Sequence, residues 1–385
     1  MNPGPIRLAH VITELNMGGA EQMLRKLVTR MDRDRFRCIV VSMTDRGPIG
    51  ERIAAAGIPV VPLGMGPGKP TPDGLARFYR LLKQESVDIV QTWLYHADLL
   101  GLVVGRLAEV SRVVWGIRCS DMRLRKYRPL TALTVRLCGA LSPLVDAILV
   151  NSREGEKIHR KRGYSRDRMI LIPNGFDTQR FRPDPGARER LKAELNLRGA
   201  VRFIGLIARY DLMKDQPNFL RAAGLLADRE PSAHFVMVGR GVVPDNQALA
   251  NLVSGRLAGR VHLMGQRHDV ARIAAGLDIA ASSSAFGEGF SNTIGEAMAC
   301  GVPCVVTDVG DSARIVGDAG LVVPLGDPEA LARAWEELLA DDERRLRLGK
   351  EARERIQGEF ELDVVVRQYE DLYETLMARA RRVRP

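Results

Sequence analysis

Two glutamates, Glu288 and Glu296, enclose the part of this sequence whose residue types are best suited to chemistry. Glu288 lies in the glycine-rich segment 285–292, and Glu296 lies about five residues into a helix that we predict to begin near Ser291. An apolar run at 278–281 predicts a buried strand, so the loop joins a strand end to a helix beginning. Free N–H groups and the dipole at a helix amino end favour an anion. Two carboxylates beside such an end predict a site for a sugar attached to a phosphate.

A pair of cations follows another predicted strand. Arg209 and Lys214 come directly after the apolar run 201–208 and before a predicted helix. An arginine and a lysine placed in this way can bind two phosphate groups and neutralise a leaving diphosphate in the place of a metal ion. Isolated cations at this spacing are more often surface charge. Their position upstream of the Glu288 loop favours the phosphate interpretation.

Glycines occur after two further predicted strands. Gly18 and Gly19 follow the first strand and precede a helix, where they would let the backbone approach a phosphate or sugar closely. Gly239 and Gly241 follow a later strand and are too few for a dinucleotide-binding motif. Taken alone, each pair is typical of a turn.

Polar and aromatic side chains in the first half of the chain are candidates for an acceptor pocket. Trp93, Tyr95, His96 and Asp98 span the end of a predicted strand and the beginning of a helix. A single histidine in such a place is more often structural than catalytic. No pattern for a covalent serine or cysteine nucleophile occurs, and the acidic pair in segment 32–34 is typical of a solvated turn rather than of a metal site.

The elements that must position these residues alternate between strand and helix along the chain, which predicts βαβ units and parallel sheets. A segment rich in Pro, Asn, Gly and Asp near 173–185 separates two such series. We therefore expect an α/β protein with two doubly wound, Rossmann-like domains at 1–185 and 186–362, followed by a helix at 363–385 that crosses back to the first domain. Open sheets bind ligands at the carboxyl ends of their strands, so we expect the two domains to face a common cleft. The predicted strands lie at 6–12, 38–42, 60–63, 89–92, 112–115, 147–150, 201–207, 234–238, 261–263, 278–281, 302–307 and 320–323.

Size and composition exclude several classes of protein. The chain has 385 residues and a net charge of +10, but its aromatic content of 5% and the absence of a known module argue against nucleic-acid binding. No apolar run is long enough to span a membrane, and five cysteines without a metal-binding pattern suggest reduced thiols in the cytoplasm. The basic and locally apolar segment 122–144 fits a peripheral contact with an anionic membrane.

Taken in this order, the motifs closely resemble those of family 4 retaining glycosyltransferases, which have the two-domain GT-B fold. The resemblance covers nearly the whole chain, and its most specific part is the pair Glu288 and Glu296 with Gly-Phe-Ser-Asn between them. Segments 91–101 and 151–154 are similar to those of bacterial members that build cell-surface polysaccharides. The resemblance therefore implies a metal-independent transfer of sugar from a UDP- or GDP-sugar to a glycan or lipid-linked acceptor, with no permanently bound cofactor and no nucleic-acid partner.

The resemblance also implies a role for each matched position. Glu288 would hold hydroxyls of the donor sugar, Glu296 would bind the ribose, and Arg209 and Lys214 would bind the diphosphate, which Gly19 would meet from the first domain. The remaining donor contacts would be Gly18, Gly239 and Gly241, the backbone of Gly289, Phe290, Ser291 and Asn292, and Arg267 and Val270 at the base.

One position departs from the family pattern. Many relatives have a histidine at the end of the fifth strand, near the reacting carbon, whereas segment 114–121 of this chain has none. Arg118 or Asp121 would fill that place, or the function differs in detail. With His96 and Asp98, these two residues complete the predicted acceptor site.

Two other functions remain open at this point. A sugar-nucleotide epimerase or hydrolase shares the architecture but needs an acid and a base, for which only His96 and Asp98 are candidates. A non-catalytic sugar-nucleotide-binding protein or scaffold need not retain all of Arg209, Lys214, Glu288 and Glu296. For a transferase, we expect attack from the face of the leaving group, because no carboxylate is marked out as a nucleophile.

Overall fold

The structure is a computed structural model that describes residues 4–66, 69–118, 120, 129–253 and 255–383. The chain forms two compact units. The first consists of Met1–Gly175 and Leu362–Pro385, and the second of Phe176–Glu361. The boundary predicted at 185/186 thus lies beyond the point at which the structure divides the chain.

The first unit alternates strands and helices from its first strand onward. Its elements are β1 (Ile6–Ile12), α1 (Gly19–Arg30), β2 (Phe36–Ser42), α2 (Gly47–Ala55), β3 (Val60–Pro62), α3 (Pro72–Gln84), β4 (Ile89–Trp93), α4 (Tyr95–Leu107), β5 (Arg112–Ile117), α5 (Pro129–Leu141), β6 (Ala147–Val150), α6 (Arg153–Lys161) and β7 (Met169–Leu171). The strands form one parallel sheet in the order β3-β2-β1-β4-β5-β6-β7. The central strand β4 is buried along its whole length, as expected for a parallel sheet that helices cover on both faces.

The second unit repeats this pattern with a smaller sheet. Its elements are α7 (Ala187–Glu194), β8 (Arg202–Ile207), α8 (Gln216–Ala227), β9 (Ala233–Val238), α9 (Gln247–Ala250), β10 (Val261–Leu263), α10 (Val270–Ala275), β11 (Ile279–Ser282), α11 (Asn292–Ala299), β12 (Cys304–Thr307), α12 (Ser312–Val316), β13 (Gly320–Val323), α13 (Pro328–Ala340) and α14 (Asp342–Glu359). The strands are parallel in the order β10-β9-β8-β11-β12-β13. Their carboxyl ends therefore share one edge, where β8 leads to Arg209 and β11 leads to the Glu288 loop.

The last helix, α15 (Leu362–Val383), packs on the sheet of the first unit. Its apolar residues Val365, Tyr369 and Tyr373 recur every four positions, so they share one face of the helix, and all three are fully buried. The Tyr373 hydroxyl also donates a hydrogen bond to Gln91 Oε1 at 3.2 Å. This face explains why the chain end belongs to the first unit rather than to the second.

The predicted fold class of two doubly wound parallel sheets is confirmed. Each predicted strand is present, with ends within two residues of those observed, whereas β7 was not predicted. No helix among the described residues is long and apolar enough to cross a membrane.

Candidate active site

The side chains of Lys214, Ser284 and Glu288 form the centre of the candidate site in the second unit. Lys214 Nζ forms an ion pair with Glu288 Oε1, and Ser284 Oγ donates a hydrogen bond to the same oxygen at 2.8 Å. Glu288 is only 7% exposed and Ser284 only 1%. A buried carboxylate is stabilised when a cation and a hydrogen-bond donor satisfy it. The structure therefore brings together two of the three predicted catalytic residues, and it adds Ser284, which the sequence did not single out.

The backbone around Glu288 is held by neighbouring segments. Thr307 Oγ1, at the end of β12, donates a hydrogen bond to the carbonyl oxygen of Ser284 at 2.7 Å, and the Asp311 N–H donates to Gly289 O at 3.0 Å. Gly310 has a φ of +59°, and a Cβ atom there would lie 2.0 Å from Glu288 O. A side chain cannot be accommodated at that distance, so glycine is required for this close approach.

Arg209 and Lys214 are linked by one acid, Asp211. Asp211 Oδ2 accepts a hydrogen bond from Arg209 Nε at 3.0 Å, and its Oδ1 accepts one from the Met213 N–H at 3.0 Å. The second bond caps the 3-10 turn that ends at Lys214. The pKa of Asp211 is lowered, against the effect of its burial, by these hydrogen bonds and by the nearby cations. Arg209 is about half exposed, with 48% of its side chain accessible, so its guanidinium is accessible to a ligand at this strand end.

The amino end of α11 lies directly after the Glu288 loop. Ser291 precedes the helix without capping it through its side chain, and Glu296 is a half-buried residue within the helix. Phe290 stacks on Phe176 with ring centroids 6.0 Å apart. A Cβ atom on Gly295 would lie 2.1 Å from the same Phe176 ring, so α11 is packed closely against it. Gly289 and Asn292 belong to the same segment and complete the predicted loop.

Gly239 and Gly241 lie beside the carboxyl end of β8. Gly239 has a φ of +156°, and a Cβ atom there would lie 2.0 Å from the carbonyl oxygen of Ala208. Gly241 has a φ of +78° and lies against Tyr210. Both glycines therefore allow the turn after β9 to lie against the residues on either side of Arg209.

Arg267 is held by an ion-pair network within the second unit. It pairs with Asp269 at 2.9 Å and with Glu194 at 2.7 Å, and Arg272 pairs with the same two acids. The pKa of Asp269 is lowered mainly by its hydrogen bonds from Arg267, and the pKa of Arg267 is raised by them. Val270 is the first residue of α10 and packs partly buried against the core. The predicted contacts of Arg267 and Val270 with a base stay predictions.

In the first unit, Gly18 and Gly19 lie at the amino end of α1. Gly18 occupies the N-cap position, and a Cβ atom there would lie 2.2 Å from a carboxyl oxygen of Glu21. Burial raises the pKa of Glu21, which is only 7% exposed. Gly19 is exposed.

Asp98 is enclosed in the sheet of the first unit. Its Oδ1 accepts hydrogen bonds from Thr92 Oγ1 at 2.5 Å and from the Gly116 N–H at 3.3 Å, and the residue has no exposed surface. Burial raises the pKa of Asp98 to about 8, because the charged form is poorly solvated there. Asp98 thus joins β4 and β5, and the acceptor role predicted for it stays a prediction. His96 is half-buried at the beginning of α4, and burial lowers its pKa.

Arg118, at the end of β5, is bound to other residues of the first unit. Its guanidinium lies 4.2 Å from the centre of the Trp93 ring and donates hydrogen bonds to Tyr369 of α15 and, at 3.5 Å, to Asn174. Arginine above an aromatic face is a favourable cation–π arrangement. Arg118 thus anchors the last helix to the sheet, a role that the sequence did not indicate. Asp121, the other candidate for the place of the family histidine, lies outside the described residues.

The described residues include no group of three or more His, Cys, Asp or Glu side chains that could hold a metal ion. The site is instead defined by the cations Arg209 and Lys214, the acids Glu288 and Glu296 and the helix end at Asn292. Ser284, Thr307 and Asp211 were missed. The run of serines at 282–284 was the one signal in the sequence that could have indicated Ser284.

Two models of glycosyltransferase families match different parts of the chain. The family model described as Glycosyltransferase Family 4 matches residues 17–180, and the one described as Glycosyl transferases group 1 matches residues 199–341. The chain is 26% identical over 304 residues to the UDP-Gal:alpha-D-GlcNAc-diphosphoundecaprenol alpha-1,3-galactosyltransferase of Escherichia coli, and the match covers 78% of each protein. It is 32% identical over 212 residues to the phosphatidyl-myo-inositol mannosyltransferase of Mycolicibacterium smegmatis, covering 54% of this chain and 52% of the relative.

The fold is also that of solved structures. The crystal structure of Anabaena Alr3699/HepE in complex with UDP is similar with a TM-score of 0.85 and 20% identity, covering 96% of this chain and all of the other. The sucrose-phosphate synthase of Thermosynechococcus elongatus is similar with a TM-score of 0.79 and 20% identity, covering 97% of this chain and 99% of the other.

Replacing Asp98 by asparagine should change how stability depends on pH. The folded pKa of Asp98 is raised to about 8, so between the unfolded pKa near 4 and pH 8 the folded state keeps a proton that the unfolded state loses. As pH rises through this range, Asp98 should therefore lower the free energy of unfolding of the natural protein by about 1.4 kcal/mol per pH unit. Asp98→Asn removes this fall.

The measurement is denaturant unfolding between pH 5.5 and 7.5, followed by tryptophan fluorescence in a Trp335→Phe background, so that the signal comes from Trp93 and Trp115, which are both buried in the first unit. The exposed acid Asp228 provides the control variant Asp228→Asn, which should leave the pH dependence unchanged. Parallel pH profiles for Asp98→Asn and the natural protein would contradict the assignment of a protonated, enclosed Asp98.

Proposed function

We propose that this glycosyltransferase, whose residues 17–180 and 199–341 match models of two glycosyltransferase families, transfers a sugar, with retention and without a metal ion, from a nucleotide sugar to a glycan or lipid-linked acceptor. The observation that carries this proposal is the ion pair between Lys214 and Glu288 in the loop that leads to α11, with Arg209 just after β8. The pathway we propose is the synthesis of a bacterial cell-surface polysaccharide, which is supported by the name of one relative, the lipopolysaccharide core biosynthesis mannosyltransferase LpsB of Rhizobium meliloti.

In the proposed donor complex, the two cations and the helix end bind the diphosphate. Negative charge grows on the diphosphate as the bond to the sugar breaks, and Arg209, Lys214 and the N–H groups at the beginning of α11 are arranged to stabilise that charge. Glu288 accepts hydrogen bonds from sugar hydroxyls, and Glu296 from the ribose. UDP is the leading candidate for the nucleotide, because Anabaena Alr3699/HepE is described in complexes with UDP and with UDP-glucose.

We propose a front-face transfer as the chemical step. The bond between C1 of the sugar and the diphosphate oxygen breaks, and the acceptor oxygen forms a new bond to C1 on the same face. The acceptor proton passes to an oxygen of the leaving diphosphate, so no enzyme carboxylate is needed as a nucleophile. Glu288 is engaged by Lys214 and Ser284, which fits a binding role better than a nucleophilic one.

The rival enzyme, an epimerase or hydrolase, is less well supported by the structure. It needs an acid and a base beside the sugar, and of its two candidates Asp98 is enclosed within the first unit. A protein that only binds a sugar nucleotide would show no turnover, so an assay of sugar transfer distinguishes it from a transferase.

We also propose that the first unit contacts an anionic membrane. Leu130, Leu133 and Leu137 of α5 are spaced by three and four residues, so they lie on one face of the helix, and all are exposed. The basic residue Arg136 is exposed on the same helix, and Val103 of the neighbouring α4 is exposed as well. Exposed apolar side chains grouped beside basic ones are typical of a membrane or protein contact. Residues 122–128 of the predicted membrane segment lie outside the described residues.

A nucleotide should stabilise the protein against heat. In a thermal-shift screen of UDP, GDP and ADP and their sugars with EDTA present, we expect one nucleotide to raise the melting temperature, equivalent to about 2.7 kcal/mol at 100 times its Kd. Glu296→Ala and Arg209→Ala should abolish most of this shift, because they remove the ribose and diphosphate partners. Arg221→Ala, which changes an exposed arginine of α8, should retain it. The absence of any response in the natural protein would count against a donor site.

The product should keep the anomeric configuration of the donor. NMR of the product during turnover in EDTA reports this directly, and Glu288→Gln should lower kcat by about 100-fold because a sugar contact is weakened in the transition state. An inverted product, or a sugar trapped covalently on Glu288 in mass spectra, would refute the front-face step.

Binding to vesicles should depend on the exposed leucines of α5. The double variant Leu133→Ser, Leu137→Ser removes two side chains that are 51% and 41% exposed, and we expect it to weaken sedimentation with anionic vesicles by about 10-fold. Leu346→Ser, at an exposed position of α14 in the second unit, is the matched control and should bind normally. A natural protein that ignores anionic vesicles at low salt would overturn the membrane proposal.

A further inference from the structure

Two different donors hold the same oxygen of Glu288. One is the ammonium group of Lys214, and the other is the hydroxyl of Ser284, which donates at 2.8 Å. Both bonds end on Oε1, so together they fix the orientation of the carboxylate. The predicted role of Glu288 in holding sugar hydroxyls depends on that orientation, because hydrogen bonds weaken steeply when their geometry is poor.

The two donors differ in what a bound diphosphate would do to them. Lys214 is a cation, and in the proposed donor complex its ammonium group also binds the diphosphate, which competes with Glu288 for its N–H groups. Ser284 is neutral and almost completely enclosed, with 1% of its surface exposed. A diphosphate therefore does not compete for its hydroxyl. Ser284 is the donor that can hold Glu288 both before and after the donor substrate binds.

Ser284 is itself fixed by the neighbouring strand. Thr307 is the last residue of β12, is 1% exposed, and donates its hydroxyl to the carbonyl oxygens of Ser284 at 2.7 Å and of Ser282 at 3.3 Å. Since β12 pairs with both β11 and β13, Thr307 belongs to the rigid part of the sheet. The chain Thr307, Ser284, Glu288 thus connects the sheet to the carboxylate.

We propose that Ser284, supported by Thr307, is a positioning residue that holds Glu288 toward the sugar while Lys214 turns to the diphosphate. This inference rests on the proposed function, because it concerns the same donor site. Beyond that function, it separates the recognition of the sugar from the recognition of the diphosphate. Ser284 acts on the sugar through Glu288, and Lys214 acts on the diphosphate.

The test compares UDP with the UDP-sugar that the natural protein uses, by calorimetry and steady-state kinetics. In Ser284→Ala we expect kcat/KM for the sugar donor to fall by about 10-fold or more, because a hydrogen bond to a charged group is lost. The Kd of UDP, which lacks the sugar, should change by less than about threefold. A purely structural role would instead weaken UDP and UDP-sugar alike. The control is Ser232→Ala, since Ser232 Oγ donates to Glu230 Oε1 at 2.6 Å elsewhere in the same unit. It should leave both quantities unchanged.

Substitutions of Thr307 keep the inference testable if Ser284→Ala proves unstable. Thr307→Val removes the hydroxyl at nearly constant size, and it should lower kcat/KM for the sugar donor, but by less than Ser284→Ala does. Thr307→Ser keeps the hydroxyl and should retain the kcat/KM of the natural protein. In a Glu288→Gln background, Ser284→Ala should cause less than about a twofold further loss, because a residue that acts through Glu288 has little left to position.

The outcomes separate the inference from the proposed function. If the natural protein binds no nucleotide and transfers no sugar, the proposed function fails. If the natural protein is active and Ser284→Ala keeps its kcat/KM for the sugar donor, the positioning role is refuted. Full additivity of Ser284→Ala with Glu288→Gln would also refute it.

Discussion

The burial of one carboxylate, Glu288, constrains the part of the second unit that forms the candidate site. A nearly covered acid is costly unless a cation and hydrogen-bond donors satisfy it. The ion pair with Lys214 meets this requirement, but it joins residues that are 74 positions apart. The two meet because β8 and β11 are adjacent and parallel, so the segments that follow them leave the sheet at the same edge. The Ala285 N–H also donates to Met213 O at 2.8 Å, which holds these two segments together.

The same constraint explains the glycines around the site. The backbone at Glu288 must approach the turn after β12, which requires Gly310, and the turn after β9 must approach the end of β8, which requires Gly239. In both contacts, a main-chain carbonyl oxygen lies so close to the glycine that it would clash with a Cβ atom. The charged side chains therefore gain their fixed geometry from close backbone packing as well as from their own bonds. Preorganised charges of this kind stabilise a transition state with little reorganisation.

Much of the fold and of the candidate site could be predicted from the sequence, because both depend on local patterns. Continuous apolar runs separated by helix-length segments indicated the parallel sheets, and glycines with acids after a strand indicated the Glu288 loop. Other features depend on contacts between distant segments. The bond from Thr307 to Ser284 exists because β11 and β12 are neighbours, and the enclosure of Asp98 depends on the direction of its side chain into the sheet. An acid at the beginning of a helix can face a ligand or a strand, and no local sequence pattern distinguishes these two cases.

The first unit uses its polar residues differently from the second, and this difference bears on the chemistry. Asp98 joins two strands, Arg118 is stacked on Trp93 and bonded to α15, and burial lowers the pKa of His10 to about 3. Each of these groups is engaged within its own unit. In the second unit, by contrast, Arg209 follows β8, and Lys214 pairs with Glu288 in the loop after β11. A reaction in which the leaving diphosphate itself accepts the acceptor's proton needs little more than this. It requires that the diphosphate be bound by cations and that the sugar be held in one orientation, and these are the tasks that we propose for Arg209, Lys214 and Glu288.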